Sequence, residues 1–386
     1  MRRLLLVSQR PQEYGGVGSA RWNAFRAMLP GHGWEVDVVT ARPNPTADAY
    51  APDATGQRLS ALRAAVMNRA GSVMRPAVRR AGIEPEALAP SALWALTGRR
   101  AVRAAITRHR PDVVWATSPP IAAHLVMGAL AAELTVPLVA ELRDHWAGNP
   151  YYDAGGTALT RIERRALTPA SAIVVVTPGM VDGLRRLHPP LADRVHLLPN
   201  GFDPVVFEDR RPRRDTRTGP VTLVHAGPVH GYPGRTIGPL LGGLRRAGDR
   251  FTLELVGAGA DVDAPGVRVR PPLPWPDAVR AQAAADIGVV LYSSDRTALG
   301  TKVFELLALE RPVLALVDEG NDLHRLLESL GQGAGCARHD DPAAIAAAIE
   351  RLAADPPPPA PPGALAAWDR SAIAARVAAL LDDLVA

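Results

Sequence analysis

Of the 44 lysines and arginines in this chain of 386 residues, a single one is a lysine. Lys302 lies in ALGTKVFELLALERPVLAL, residues 298 to 316, three positions before Glu305 and just after Gly300, where a strand reads as giving way to a helix. Helix N-termini favour anions and disfavour cations by about 0.3 to 1 kcal/mol each, so Lys302 is locally misplaced unless an anion lies near. A Lys302–Glu305 pair on the helix surface would return only about 0.2 to 0.5 kcal/mol. Arginine, abundant elsewhere in the chain, would serve such a pair equally well. A compact ammonium that reaches a phosphate is the better account.

Ligands of open α/β sheets bind outside the carboxyl ends of the strands, and other polar clusters fall at such ends. ELRDHWAGNPYY, residues 141 to 152, gathers Arg143, Asp144, His145 and Trp146 after an apolar run. His145 titrates near neutrality and could bond a phosphate or sugar hydroxyl, or share a proton. The plainer alternative is an Arg143–Asp144 pair that braces the loop, with Trp146 as packing. In VSQRPQEYGGVGSARWNAF, Gly15, Gly16 and Gly18 would let a ligand approach the backbone, and the following helix would aim its free N–H groups at an anion. It is no dinucleotide fingerprint, because Arg21 stands where a third glycine is needed and the second strand ends in Thr40 rather than an acid. A purely structural turn is an equal reading. A second glycine-rich loop, LVHAGPVHGYPGRTIGPLL, holds Gly227, His230 and Arg235. In LLPNGFDP the Asn200–Gly201 pair and Asp203 read as a structural turn.

The chain lacks zinc-ligand spacing, a calcium loop, a Gly-x-Ser-x-Gly elbow and a nucleophile with a nearby base. The chemistry implied is phosphate binding in a cleft between two domains, with no metal, no cofactor and no covalent intermediate.

Short leucine- and valine-rich runs alternate with helical patterns from end to end, as in parallel sheets covered on both faces. The length and two such series imply two doubly wound domains. One spans 1–206 and is completed by a returning terminal helix at 364–386; the other spans 219–355. Charged, proline-bearing 207–218 and proline-rich 356–363 read as linkers. A net charge of +5 suits anionic partners without choosing among them. One cysteine, Cys336, fits a reducing cytoplasm. The apolar run of MRRLLLVSQR is too short for a signal peptide or membrane span. Residues 55 to 110 intersperse arginines at helical spacing, either a solvated face or a patch for acceptor or membrane surface.

Together these motifs resemble the retaining nucleotide-sugar glycosyltransferases of the GT-B fold, specifically glycosyltransferase family 4. The resemblance runs from LLLVSQRPQEYGGVG through GHGWEVDVVTARP, VTPGMVDGL, LLPNGFDPVVF, LVHAGP and LELVGAG to KVFELLALERPVLAL. ELRDHW is similar to an Arg-Asp-x-Trp segment of a bacterial subgroup associated with polysaccharide and small-molecule glycosylation. The resemblance implies two Rossmann-like domains that face each other across a cleft. It also implies that Glu305 accepts the ribose hydroxyls of a UDP-, GDP- or dTDP-sugar. Backbone N–H groups around Leu299, Gly300 and Thr301 would face the sugar and its β-phosphate, the loop at Gly15 and Gly16 the diphosphate and acceptor, and His145 the transferred sugar.

Three departures from the family pattern bear on the site. Thr297 stands where a sugar-binding glutamate is usual, Pro228 where an arginine is common (with Arg235 the nearest other candidate), and Glu310 where a glycine is usual. The resemblance implies same-face attack by an acceptor hydroxyl, with a donor phosphate oxygen taking the proton, so positioning and charge are the protein's contribution. A hydroxyl-bearing small molecule is the expected acceptor, and a cell-envelope or lipid-linked glycan, with contact at a membrane surface, is the alternative. Nucleic acid is not an expected partner. From another class, a nucleotide-sugar 2-epimerase uses the same fold, but needs acidic and histidine groups serving both faces of the sugar.

Overall fold

A computed structural model of the chain describes residues 1–9, 17–40, 49–50, 85–149, 157–209, 216, 218–229, 236–259, 262–291, 296–297 and 299–386. The chain divides into two compact units, Met1–Pro199 with Ala374–Ala386, and Asn200–Ile373.

In the first unit, β1 (Arg2–Val7), β2 (Trp34–Thr40), β3 (Ala49–Tyr50), β4 (Val113–Ser118), β5 (Leu138–Leu142), β6 (Ala172–Val175) and β7 (Val195–Leu197) form a parallel sheet in the order β3-β2-β1-β4-β5-β6-β7. The described connecting helices are α1 (Val17–Met28), α2 (Pro85–His109), α3 (Ala122–Leu130), α4 (Thr157–Leu167) and α5 (Pro178–Leu187). VVWATS of β4 and LVAEL of β5 are buried along their whole length, as expected of central strands with both faces covered. The direction of winding reverses between β1 and β4. Loops leaving those two strands therefore flank the crevice where this architecture takes its ligands.

The second unit repeats the plan. Strands β8 (Val221–Ala226), β9 (Phe251–Val256), β10 (Val267–Arg270), β11 (Ile287–Val290), β12 (Val313–Leu316) and β13 (Cys336–Ala337) lie parallel in the order β10-β9-β8-β11-β12-β13. Helices α6 (Gly238–Ala247), α7 (Trp275–Ala284), α8 (Thr301–Ala308), α9 (Asp322–Ser329) and α10 (Pro342–Ala354) connect them. Here the reversal falls between β8 and β11, so the loop after Ala226 and the one leading into α8 leave adjacent strands. Gly288 of β11 is required for packing, since a Cβ there would run into Leu306 of α8. Glu310, at the position where the resembling family carries glycine, takes φ +60°. That left-handed backbone costs a residue with a side chain roughly 1 kcal/mol.

In the second unit, Gly201 sits at φ +64° against the Trp368 carbonyl. Phe202 N–H donates to Trp368 O at 2.9 Å, and Arg370 N–H to Phe202 O at 3.0 Å. The final helix α11 (Arg370–Val385) ends in the first unit. There Asp382 accepts from Arg2 at 2.7 Å and from Trp34 Nε1 at 2.9 Å. Among the described residues no helix is long and apolar enough to cross a membrane.

Candidate active site

The second unit brings seven of the sequence candidates to its strand-order reversal. Helix α8 opens at Gly300, which is exposed, extended (φ −71°, ψ 156°) and makes no side-chain cap. Among the described residues an added Cβ at Gly300 would meet nothing within 4 Å, so no contact among them demands glycine there. What the missing side chain does provide is open access to the first-turn N–H groups of α8, the positive end of the helix. Thr301 is buried, and Leu299 packs in the core with Val303 and Phe304. These two side chains anchor the helix start, and their contribution to a ligand would come from the backbone.

Lys302 does not lie along its own helix surface toward Glu305. Its Nζ rests against Gly227, where a Cβ would stand 2.6 Å from that nitrogen and 2.9 Å from Cε. Gly227 follows β8 with φ +127° and donates its N–H to Val256 O at 2.7 Å. Its lack of a side chain thus serves both a backbone closed to other residues and the seat of the ammonium. Glu305, one turn further along α8, is 6% exposed. Its carboxylate accepts from Trp275 Nε1 at 2.8 Å on one oxygen and from Gln282 Nε2 at 3.3 Å on the other. A carboxylate has about four lone-pair sites, so this grip fixes Glu305 and still leaves capacity for hydroxyl donors. Arg370 is also buried; burial pushes its guanidinium pKa down, and the charges of Glu305 and Asp203 oppose that shift. Thr297 is half-buried in the turn before α8. His230 and Arg235 lie outside the described residues.

In the first unit the loop after β5 is built into the protein from several sides. Arg143 donates through Nε to Ser118 O at 3.1 Å and through Nη2 to Pro119 O at 3.2 Å. It thereby ties the end of β5 to the end of β4, a bracing contact. Trp146 is 1% exposed and belongs to the core. His145 is 7% exposed, and its imidazole lies on Gly183 of α5, where a Cβ would be 2.9 Å from Cε1. No partner for its Nδ1 exists among the described residues. Asp144 neighbours these groups in the same loop. Gly15 and Gly16 lie outside the described residues.

Behind this loop stands a group that sequence reading passed over. Glu141 and Arg21 form an ion pair of 3.0 Å with both side chains at 0% exposure. Trp22 Nε1 at 2.8 Å and Thr117 Oγ1 at 2.5 Å fill the other carboxylate oxygen. Burial alone would push the Glu141 pKa up. The charges of Arg21 and Arg143 and the bonds from Thr117 and Trp22 outweigh it and hold the carboxyl below the usual range. Arg21 also donates to Leu198 O at 3.0 Å and to Pro199 O, so it grips the last residues of the unit before the chain leaves it. Arg21 entered the sequence reading only as a missing glycine. An arginine inside an otherwise apolar helix face, WNAF following it, was the available signal.

Residues 15–201 match the family model described as Glycosyl transferase 4-like domain. Among solved structures, sucrose-phosphate synthase from Thermosynechococcus elongatus is 17% identical with a TM-score of 0.67, over 100% of this chain and 99% of that one. A trehalose 6-phosphate synthase from Burkholderia multivorans is 13% identical with a TM-score of 0.58, over 99% and 97%. The UDP-GlcNAc 2-epimerase from Neisseria meningitidis, bound to UDP-GlcNAc, is 10% identical with a TM-score of 0.57, over 99% and 100%. At such identities the likeness is one of fold. No curated protein sequence matches the chain. The chain therefore has the two-unit GT-B fold of these structures, with a match to the glycosyl transferase 4-like domain over residues 15–201.

Proposed function

We propose that the protein transfers a sugar from a nucleoside-diphosphate donor to the hydroxyl of a small-molecule acceptor, with retention at the anomeric carbon. The observation that carries this reading is the meeting of Lys302 with Gly227 at the uncapped start of α8. A cation that leaves its own helix surface for the glycine end of the neighbouring strand supports a dianionic group at that point. Glu305, braced by Trp275 and Gln282, would accept the ribose hydroxyls. The N–H groups following Gly300 would take the β-phosphate. His145, Asp144 and Arg143 would form the sugar-facing loop of the first unit, with Gly15 and Gly16 near the acceptor.

In this scheme the bond from the anomeric carbon to the diphosphate oxygen breaks with its electron pair leaving on the diphosphate. The acceptor oxygen bonds the same face, and its proton passes to a phosphate oxygen of the leaving group. Lys302 and the helix N-terminus stabilise the charge that develops there, which is how such sites lower a barrier. No protein base is needed.

Incubation with UDP-glucose, UDP-N-acetylglucosamine, GDP-mannose and dTDP-glucose, with and without hydroxylated small molecules, tests the proposal. Acceptor-dependent release of the nucleoside diphosphate and a product of unchanged anomeric configuration are expected. An inverted product would overturn the retaining scheme, and an epimerised donor formed without acceptor would move the protein to the isomerases. Turnover only with lipid-linked acceptors would replace the small molecule by an envelope glycan.

A further inference from the structure

Glu163 of α4 is 0% exposed and has no role in the scheme above. Its Oε2 accepts the backbone N–H of Trp146 at 3.1 Å and that of Ala147 at 3.0 Å. Its Oε1 accepts from His188 Nε2 at 2.7 Å. The Trp146 N–H belongs to the peptide unit that joins His145 to Trp146, so this carboxylate holds the plane that sets the exit direction of His145. A buried carboxylate needs such donors, and charge-assisted bonds to backbone N–H groups are among the stronger ones available. His188 is itself fixed, since its N–H closes α5 on Leu184 O at 2.8 Å. The same helix carries Gly183, whose missing side chain makes room for the His145 ring. One carboxylate, through the backbone, and one helix, through Gly183, therefore decide where His145 stands.

We propose that Glu163 is a positioning residue for sugar transfer, acting through the backbone that follows His145, with His188 as the group that orients it. The proposal rests on the reading of the 143–146 loop as sugar-facing. Here two consecutive N–H groups are taken immediately after the candidate side chain, and the third partner comes from the helix that houses its ring.

A double-mutant cycle tests it, read as the release of nucleoside diphosphate from whichever of UDP-glucose, UDP-N-acetylglucosamine, GDP-mannose and dTDP-glucose is turned over best. Glu163→Ala is expected to lower kcat at least about tenfold with a donor KM changed less than about twofold. Glu163→Gln, whose amide oxygen still accepts both N–H groups while its NH2 faces the His188 ring, is expected to recover most of that loss. In a His145→Ala background, Glu163→Ala should cost no more than about twofold further. Equal losses in the two backgrounds, or a loss in melting temperature with kcat intact, would overturn the positioning role while leaving the loop's role standing. A His145→Ala protein with unchanged kcat would remove the loop reading and this proposal together. Should Glu163→Ala not fold, His188→Ala carries the same cycle: its kcat loss must vanish when His145 is absent, and persistence of the loss counts against the proposal.

Discussion

At the residue scale, two positions explain each other. Lys302 can lie where it does because Gly227 has no side chain, and Gly227 adopts φ +127°, a backbone other residues avoid. Gly227→Ala would strain the backbone and displace the ammonium together. It is expected to lower the melting temperature by several degrees and to weaken nucleoside diphosphate binding about tenfold, measured by thermal unfolding and calorimetry. Lower stability with unchanged affinity would separate Gly227 from ligand binding. Glu305 shows the complementary case. Its bonds to Trp275 and Gln282 come from a helix 30 and 23 residues earlier in the chain, so its likeness to a ribose-binding position was legible in KVFELLALERP while the indole that braces it was not.

At the element scale, the first unit joins its central strands through Glu141. Strand β5 supplies the carboxylate, β4 supplies Thr117, α1 supplies Arg21 and Trp22, and α3 lays His124 Nε2 at 3.0 Å from the Glu141 carbonyl. Burial pushes the His124 imidazole down to about 4, only partly opposed by that carbonyl and by the Glu141 charge. Between pH 6.5 and about 4 the unfolded chain binds a proton at this position that the native protein refuses. Stability therefore falls as pH drops through that window and is fully present above it. The span amounts to on the order of 3 kcal/mol. His124→Gln removes the titration, and the expected outcome is a shallower decline of melting temperature from pH 6.5 to 4.5 than in the unaltered protein. Parallel declines would assign the acid sensitivity of that window to other groups; Glu141, whose carboxyl is held below the usual range, loses its contribution only at lower pH.

At the scale of the whole molecule, two parallel sheets in series each reverse their winding once, between β1 and β4 and between β8 and β11. The second reversal gathers Gly227, Lys302 and Glu305, whereas the 143–146 loop leaves β5, one strand beyond the first reversal. Much of this was open to reading in the sequence, because buried parallel strands announce themselves as unbroken apolar runs and glycines mark the turns that follow them. The anion site was legible through a local conflict, a cation at a helix start. Partners far apart in the chain were not legible. Arg21 and Glu141, 120 residues apart, and Glu163 with the backbone after His145 follow no periodicity, and only the folded sheet brings them together. His145 itself stood out in ELRDHWAGNPYY, whereas its burial against Gly183 came from VTPGMVDGL, a stretch whose glycine suggested nothing beyond a helix.

The central claim is that the donor's diphosphate sits at the start of α8 under Lys302. Calorimetric titration of UDP, GDP and dTDP into the protein and into Lys302→Met tests it most directly, with thermal unfolding alongside. The preferred nucleotide should bind Lys302→Met at least about tenfold more weakly, with the melting temperature of the free protein unchanged and Lys302→Arg recovering only part of the affinity. Equal affinity of Lys302→Met and the unaltered protein for the diphosphate would contradict the account.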